Sequence, residues 1–374
     1  MQLLESISNR LPDTATNYLL KSLQDIANNI QIQSNFRICH PNYKPLELPA
    51  EVVVRFQHLP IDLQHRYLNL RLRSFLYGIY YNGSLRAALA PQSETAAMAS
   101  PLNNIENNTF LGIDLEFYNR LHQSNCGEGY FDPGWQVRRQ ENDGTLAVIK
   151  NGLTLYIQRD HHLKVLEQSA AIGNIVAIRM PKNLMEKGFY IAVGNAGLGD
   201  RTQTNSNSVT VGIYFHLIPE GAVAVMERLT RQLNEIRIPF IFKVLYNPAD
   251  YRCYDSGVLY SEKSNYEAIW QVLKTVYAET KAHFHPNIPL FTKLLAPGLG
   301  LAEEPDRKFA AQESFGMNRC QIVANGLLEA WHSVDDSPKK RITCILQQFS
   351  HLGIDWQLSY LNAKSKDIYA RLNL

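Results

Sequence analysis

Residues 238–246, IPFIFKVLY, alternate so that Phe242 and Val244 share one face of a strand while Ile241, Lys243 and Leu245 share the other. Both faces are apolar apart from one amine, the pattern of a central strand. An ammonium there loses hydration, which favours its neutral form, and a neutral lysine is a strong base. The alternative is a lysine with a buried stem whose head reaches water. In the strand candidate SVTVGIYFHLI, residues 208–218, Thr210, Tyr214 and His216 share one face, opposite Val211, Ile213, Phe215 and Leu217. His216 falls near the carboxyl end of that strand, the edge at which open α/β sheets gather their sites. A lone histidine equally serves as a satisfied structural group.

Arg252 in ADYRCYD and Arg319 in ESFGMNRCQ stand at approaches to strands or helices, with Arg179, Lys182 and Lys293 as further loop or edge cations. Two or three converging guanidiniums would clamp a phosphate through paired hydrogen bonds; dispersed, they would be solvated surface groups. The glycine runs GNAGLGD and APGLGLAEEPD lack the following lysine and Ser/Thr of a phosphate-binding loop and read as turns. The histidines of DHHLK and HFHPN have no acidic or cysteine partner at metal spacing, so neither metal nor cofactor is expected. No G-x-S-x-G elbow or kinase motif set is present.

These residues need elements to position them. Between the two strand candidates lies PEGAVAVMERLTRQLNEIR, with Pro219 and Glu220 suited to a helix N-terminus and an apolar stripe of Ala222, Met226, Leu229, Leu233 and Ile236. Strand, helix and strand with short joints predict a right-handed crossover between parallel neighbours. DSGVLYS follows as a third strand candidate. Upstream, Leu19, Leu23, Ile26 and Ile30 recur at helical spacing, and IDLQHRYLNLRLRSFLYGIYYNG predicts a long helix ending near Gly83. Residues 90–109 read as a linker, and the stretch from Gly129 to Asp160 as a small antiparallel meander. The expectation is an α+β protein, with a helical N-terminal subdomain over 1–110 and, over 111–374, a mixed-sheet domain built around the strand-helix-strand unit.

Composition narrows the function classes. The chain has 374 residues, 45% of them hydrophobic, and a formal net charge of +2 from 37 basic and 35 acidic side chains. It thus has core enough for a large fold but no global field to favour nucleic acid or membrane as partner. Its five cysteines are scattered without a C-x-x-C pair, and the N-terminus MQLLESISNRLPD lacks a basic leader, so a cytoplasmic location is expected.

The run from Pro219 to Tyr260, followed by PLFTKLLAPGLGLAEEPD and ESFGMNRCQIVANGLLEAW, resembles the Hop-A family of bacterial type III effectors. That domain also resembles the lyase component of class V lanthipeptide biosynthesis, and the likeness covers roughly Gly129 to Trp331. A more distant similarity links the chain to phosphothreonine lyases, whose ordered motifs match YFH at 214–216, PFIFKV at 239–244, Arg252 and VLY at 258–260. The resemblance implies Lys243 as general base, His216 as general acid, Arg252 and Arg319 as phosphate clamp, and Tyr260 as a substrate-positioning residue. Tyr214 stands where those lyases carry a phosphate-binding lysine. The implied reaction is β-elimination of phosphate from phosphoserine or phosphothreonine in a ribosomally made precursor peptide. The implied partners are that peptide with its leader and a separate Ser/Thr kinase-like protein. Two other readings stay open: a non-catalytic phosphopeptide or leader-binding partner, and an effector-like interaction module.

Overall fold

The computed structural model describes residues 14–91, 109–110, 112–199 and 208–372. The first helix, α1 (Thr14–Asn29), buries the predicted stripe of Leu19, Leu23 and Ile26, and Ile30 follows it into the core. A small antiparallel sheet of β1 (Gln31–Ile32), β2 (Ile38–His40) and β3 (Tyr43–Leu46) leads to α2 (Ala50–Gln57) and α3 (Ile61–Leu76). The last turn of α3 widens into a π turn over Tyr77–Tyr81, and the chain reverses at Gly83 with φ +74°, a conformation glycine adopts without strain. The expected linker falls mostly on residues outside those described. Beyond it come β4 (Thr109–Phe110), β5 (Ile113–Asp114) and α4 (Leu115–Ser124), which Asp114 caps by accepting from the Phe117 N–H.

The meander is present as β6 (Tyr130–Gln140), β7 (Leu146–Lys150) and β8 (Leu153–Ile157), joined on its other side by β9 (Ile175–Met180) into a four-stranded antiparallel sheet with its own small core. The main sheet is built from β10 (Asn183–Glu186), β11 (Phe189–Val193), β12 (Thr210–Phe215), β13 (Ile241–Leu245), β14 (Gly257–Glu262), β15 (Lys293–Ala296) and β16 (Leu299–Glu303). Its order is β10-β11-β13-β14-β12-β16-β15. The α+β class, with helices first and a sheet-rich region after, is the observed one. Two features of the expected sheet are not. β12 and β13 do run parallel across α5 (Pro219–Glu235), but β14 lies between them, so they are not neighbours. Every hydrogen-bonded pair in the sheet is antiparallel, so it is not mixed in its pairing. The returning strand β14 satisfies both partners at once, an option that periodicity within β12 and β13 cannot reveal.

Helices cover both faces. On one side, Tyr190 meets Tyr118 and His122 of α4, while Phe215 meets Phe284, which lies against Tyr277 of α6 (Tyr266–Thr280). Phe242 and Val244 are wholly buried there. On the other side, the Tyr214 ring lies 6.2 Å from Phe315 of α7 (Phe315–His332), and a side chain at Gly316 would collide with the Tyr81 ring of the π turn. α8 (Pro338–His351) packs on α7, and α1 packs on α8. The N-terminal helices therefore share one continuous core with the sheet. In α5, Ala222, Met226, Leu229 and Leu233 are buried as expected, but Ile236 lies past the last helical turn and is exposed.

The C-terminal segment is fastened by one buried carboxylate. Glu303, at 0% exposure, accepts hydrogen bonds from the Lys263 amine, the Ser365 and Tyr369 hydroxyls and the Asn362 N–H. These donors hold its carboxyl below the ordinary value against the upward push of burial. Replacing Glu303 by Ala strands Lys263 without its counter-ion. The expected cost is about 3 kcal/mol in a urea titration, with faster proteolysis of the segment after Asn362.

Candidate functional site

The face of the main sheet that carries Lys243 is set by register. Lys243 pairs across from Ile191 and Val258, Leu245 from Phe189, and Tyr260 from Ile241, so these side chains share one surface. The Lys243 ammonium is partly buried, with 23% of its side chain exposed. Its Nζ lies 5.5 Å from the centre of the Phe189 ring and 5.4 Å from that of Tyr260, and donates to Glu186 Oε2 at 3.1 Å. Two ring faces and a carboxylate thus replace part of the water that an internal strand takes away. Among the described residues, the amine contacts Glu186, Phe189 and Tyr260 and no guanidinium; the neighbouring charge is the opposite one, from the edge strand β10.

Phe189 and Leu245 also form one wall of a cleft of 330 Å³. Tyr77, Asn82 and Ser84 supply a second wall, and the loop after β13 closes it with Asp250, Arg252, Cys253 and Asp255. Arg252 is exposed at its rim and makes no hydrogen bond or ion pair with any described residue. Asp255 is held from two sides: the Tyr77 hydroxyl donates to its Oδ2 at 3.0 Å, and the Asn82 amide to its Oδ1 at 3.2 Å. Burial raises the Asp255 carboxyl above the usual carboxylate range, although the hydrogen bonds from Tyr77, Cys253 and Asn82 pull the other way. The sequence offered little to single out Asp255: it precedes a strand and belongs to no spaced motif.

Among the expected site residues, the structure brings Lys243, Tyr260 and Arg252 to this part of the sheet. His216 is elsewhere. It lies one residue beyond the end of β12, with β14 between that strand and β13, a lateral separation of roughly 10 Å at the usual strand spacing. The ring is buried at 5% exposure, its Nδ1 is 3.0 Å from the Asn287 carbonyl, and Tyr254 and His285 pack against it. Burial lowers its pKa to about 4, so at neutral pH the imidazole is uncharged. Tyr214 is also buried, its hydroxyl directed to Glu304, and burial pushes its ionisation well upward.

The remaining cations do not converge on the cleft. Arg319 is 1% exposed and spends its guanidinium on the Ser359 and Leu361 carbonyls and the Asn318 side chain, fixing the C-terminal segment against α7. Burial lowers it to about 10, so it stays charged at neutral pH. Lys293 is on β15, the far edge of the sheet, paired with Asp367 at 2.5 Å. Lys182 donates to the Asn125 carbonyl, and Asn125 in turn donates to Tyr190, which belongs to the face opposite Lys243. Arg179 is an exposed residue of β9 whose guanidinium donates to the Glu128 carbonyl. Among the described residues no three His, Cys, Asp or Glu side chains stand together as a metal would require, and no helix is long and apolar enough to cross a membrane.

Residues 180–361 match the model of the HopA1 effector protein family. The family is the one the motifs predicted, although the match starts later than Gly129 and runs past Trp331. Two solved structures are similar in part. The effector protein from Pseudomonas syringae pv. tomato strain DC3000 is 17% identical, with a TM-score of 0.39 over 67% of this chain and 81% of that one. The effector protein from Pseudomonas syringae pv. syringae strain 61 is 14% identical, with the same TM-score and coverage. No curated protein sequence matches the chain.

The placement of His216 yields a pH test. Its folded-state pKa lies below the unfolded value of about 6.5, so the unfolded chain binds more protons in between and folding stability rises with pH across that window. Wild-type protein is expected to lose up to about 3 kcal/mol between pH 6.5 and 4 from this group alone. His216→Asn, which cannot titrate, flattens that segment of the denaturant midpoint against pH curve.

Proposed function

We propose, with residues 180–361 as a HopA1 effector family domain, that this protein eliminates phosphate from phosphoserine or phosphothreonine in a peptide, leaving dehydroalanine or dehydrobutyrine. The observation that carries the reading is the amine of Lys243 over the ring of Phe189, a wall of the cleft whose rim holds the Arg252 guanidinium with no hydrogen bond or ion pair to a described residue. In its neutral form the amine takes the proton from the substrate Cα. The electron pair forms the Cα–Cβ double bond, and the Cβ–O bond breaks with phosphate as leaving group. Arg252 holds that phosphate through its fork of N–H donors. The rings of Phe189 and Tyr260 fix the amine laterally, and Tyr260 is the residue assigned to position the substrate. The substrate is a ribosomally made precursor peptide with its leader, phosphorylated by a separate kinase-like protein.

Glu186 favours a second reading. A carboxylate 3.1 Å from the amine holds the pair as a salt bridge beside the cleft, which suits a phosphopeptide-binding module without turnover. Product mass separates the two. Phosphoserine and phosphothreonine peptides incubated with the wild type are expected to lose phosphoric acid, and Lys243→Ala is expected to slow this by at least about a hundredfold with its far-ultraviolet spectrum unchanged. Binding of the phosphopeptide without any change in its mass would leave the module reading in place.

A further inference from the structure

His216 is buried against Tyr254 and His285 and does not line the cleft, so the elimination proposed above has a base and an anion holder but no proton donor in the cleft for the departing oxygen. We propose that Asp255 is that donor: a cleft carboxyl, held in place by Tyr77 and Asn82, that protonates the bridging oxygen of the leaving phosphate. This rests on the lyase reading and adds a residue to the same site.

Two observations and a charge argument support it. Asp255 lines the cleft together with Arg252, three residues before it in the same loop, so a phosphate held at the rim is within the same small space. Its orientation is set by neighbours that are themselves fixed. Asn82 accepts from the Ser84 N–H and donates its amide to Asp255, while the Tyr77 hydroxyl takes the other oxygen. One carbonyl also ties the loop down, since Tyr254 N–H donates to Asn82 O. Finally, the charge balance favours a protonated carboxyl there when substrate is bound. A dianionic phosphate and an ionised Asp255 in one cleft of 330 Å³ repel each other, whereas the neutral acid donates a hydrogen bond to the phosphate. The burial that already raises this carboxyl acts in the same direction.

The atoms balance. Lys243 gains the Cα proton as the double bond forms, and Asp255 transfers its own proton to the bridging oxygen as the Cβ–O bond breaks. Phosphate leaves as the monoanion or dianion that its bound protons dictate. The ammonium and the carboxylate that remain are reset by exchange with solvent once product departs. Proton donation of this kind contributes about 10²–10⁴ in rate.

The test uses leaving groups that differ in their need for a proton. Two matched peptides carry either phosphoserine or β-chloroalanine; chloride leaves without protonation. Asp255→Asn is expected to lose phosphate elimination by about 10²–10⁴ while retaining chloride elimination within a few fold, and Lys243→Ala is expected to lose both. Asp255→Glu, which keeps the acid, is expected to restore part of the phosphate rate. A wild-type measurement needs no variant to fold: the phosphate reaction falls at high pH as the acid deprotonates, and the chloride reaction lacks that limb. Equal loss of both reactions in a folded Asp255→Asn, or full retention of the phosphate reaction, would overturn the assignment of Asp255. Absence of either elimination with wild-type protein would instead sink the lyase reading itself, and with it this assignment.

Discussion

β14 hydrogen-bonds to β12 on one side and to β13 on the other, and this shared strand decides which side chains can meet. It places a full strand width between the end of β12 and Lys243. It also makes the chain leave β13, loop out through Asn247 to Ser256, and return beside it, which puts Arg252 and Asp255 next to the strand that carries the amine. Were β12 and β13 neighbours, His216 and Lys243 would lie on adjacent strands. The antiparallel insertion instead pairs Lys243 with Val258 of β14, the strand that the loop leads into.

The cleft follows from incomplete cover on one face. α7 and the π turn of α3 pack over Tyr214 and bury it with Phe315 and Tyr81, while the sheet surface at Phe189 and Leu245 stays open on the cleft side. At the buried end, polar groups are spent on structure: Arg319 on carbonyls, Glu303 on the C-terminal segment. At the open end they are placed but not exhausted, with Arg252 at the rim and Lys243 held by one carboxylate and two rings. That contrast separates groups that hold the fold from groups able to act on a ligand better than charge or burial alone.

Much of the architecture was legible because it rests on local periodicity. The stripe of α1, the Pro219 start of α5, the meander and the reversal at Gly83 each follow from residues close in sequence. The central placement of Lys243 was also readable, since only an internal strand tolerates Phe242 and Val244 on its second face. Strand order was not, because β14 enters from residues past the loop and its alternation carries no label for its neighbours. The same limit explains the cations. Arg319 and Lys293 look like clamp residues in one dimension, but their partners, Ser359, Leu361 and Asp367, arrive from the far end of the chain. Asp255 was missed for the reverse reason: its significance lies in Tyr77 and Asn82, more than 170 positions away.

The most direct measurement uses a phosphoserine peptide carrying deuterium at Cα, incubated with the wild-type protein and followed by mass spectrometry of the peptide and assay of free phosphate. Proton abstraction by Lys243 predicts that phosphate and deuterium leave together, giving dehydroalanine, and more slowly than from the protiated peptide. Release of phosphate with the deuterium retained on serine would mean hydrolysis, and no release at all would mean binding; either result would contradict the account.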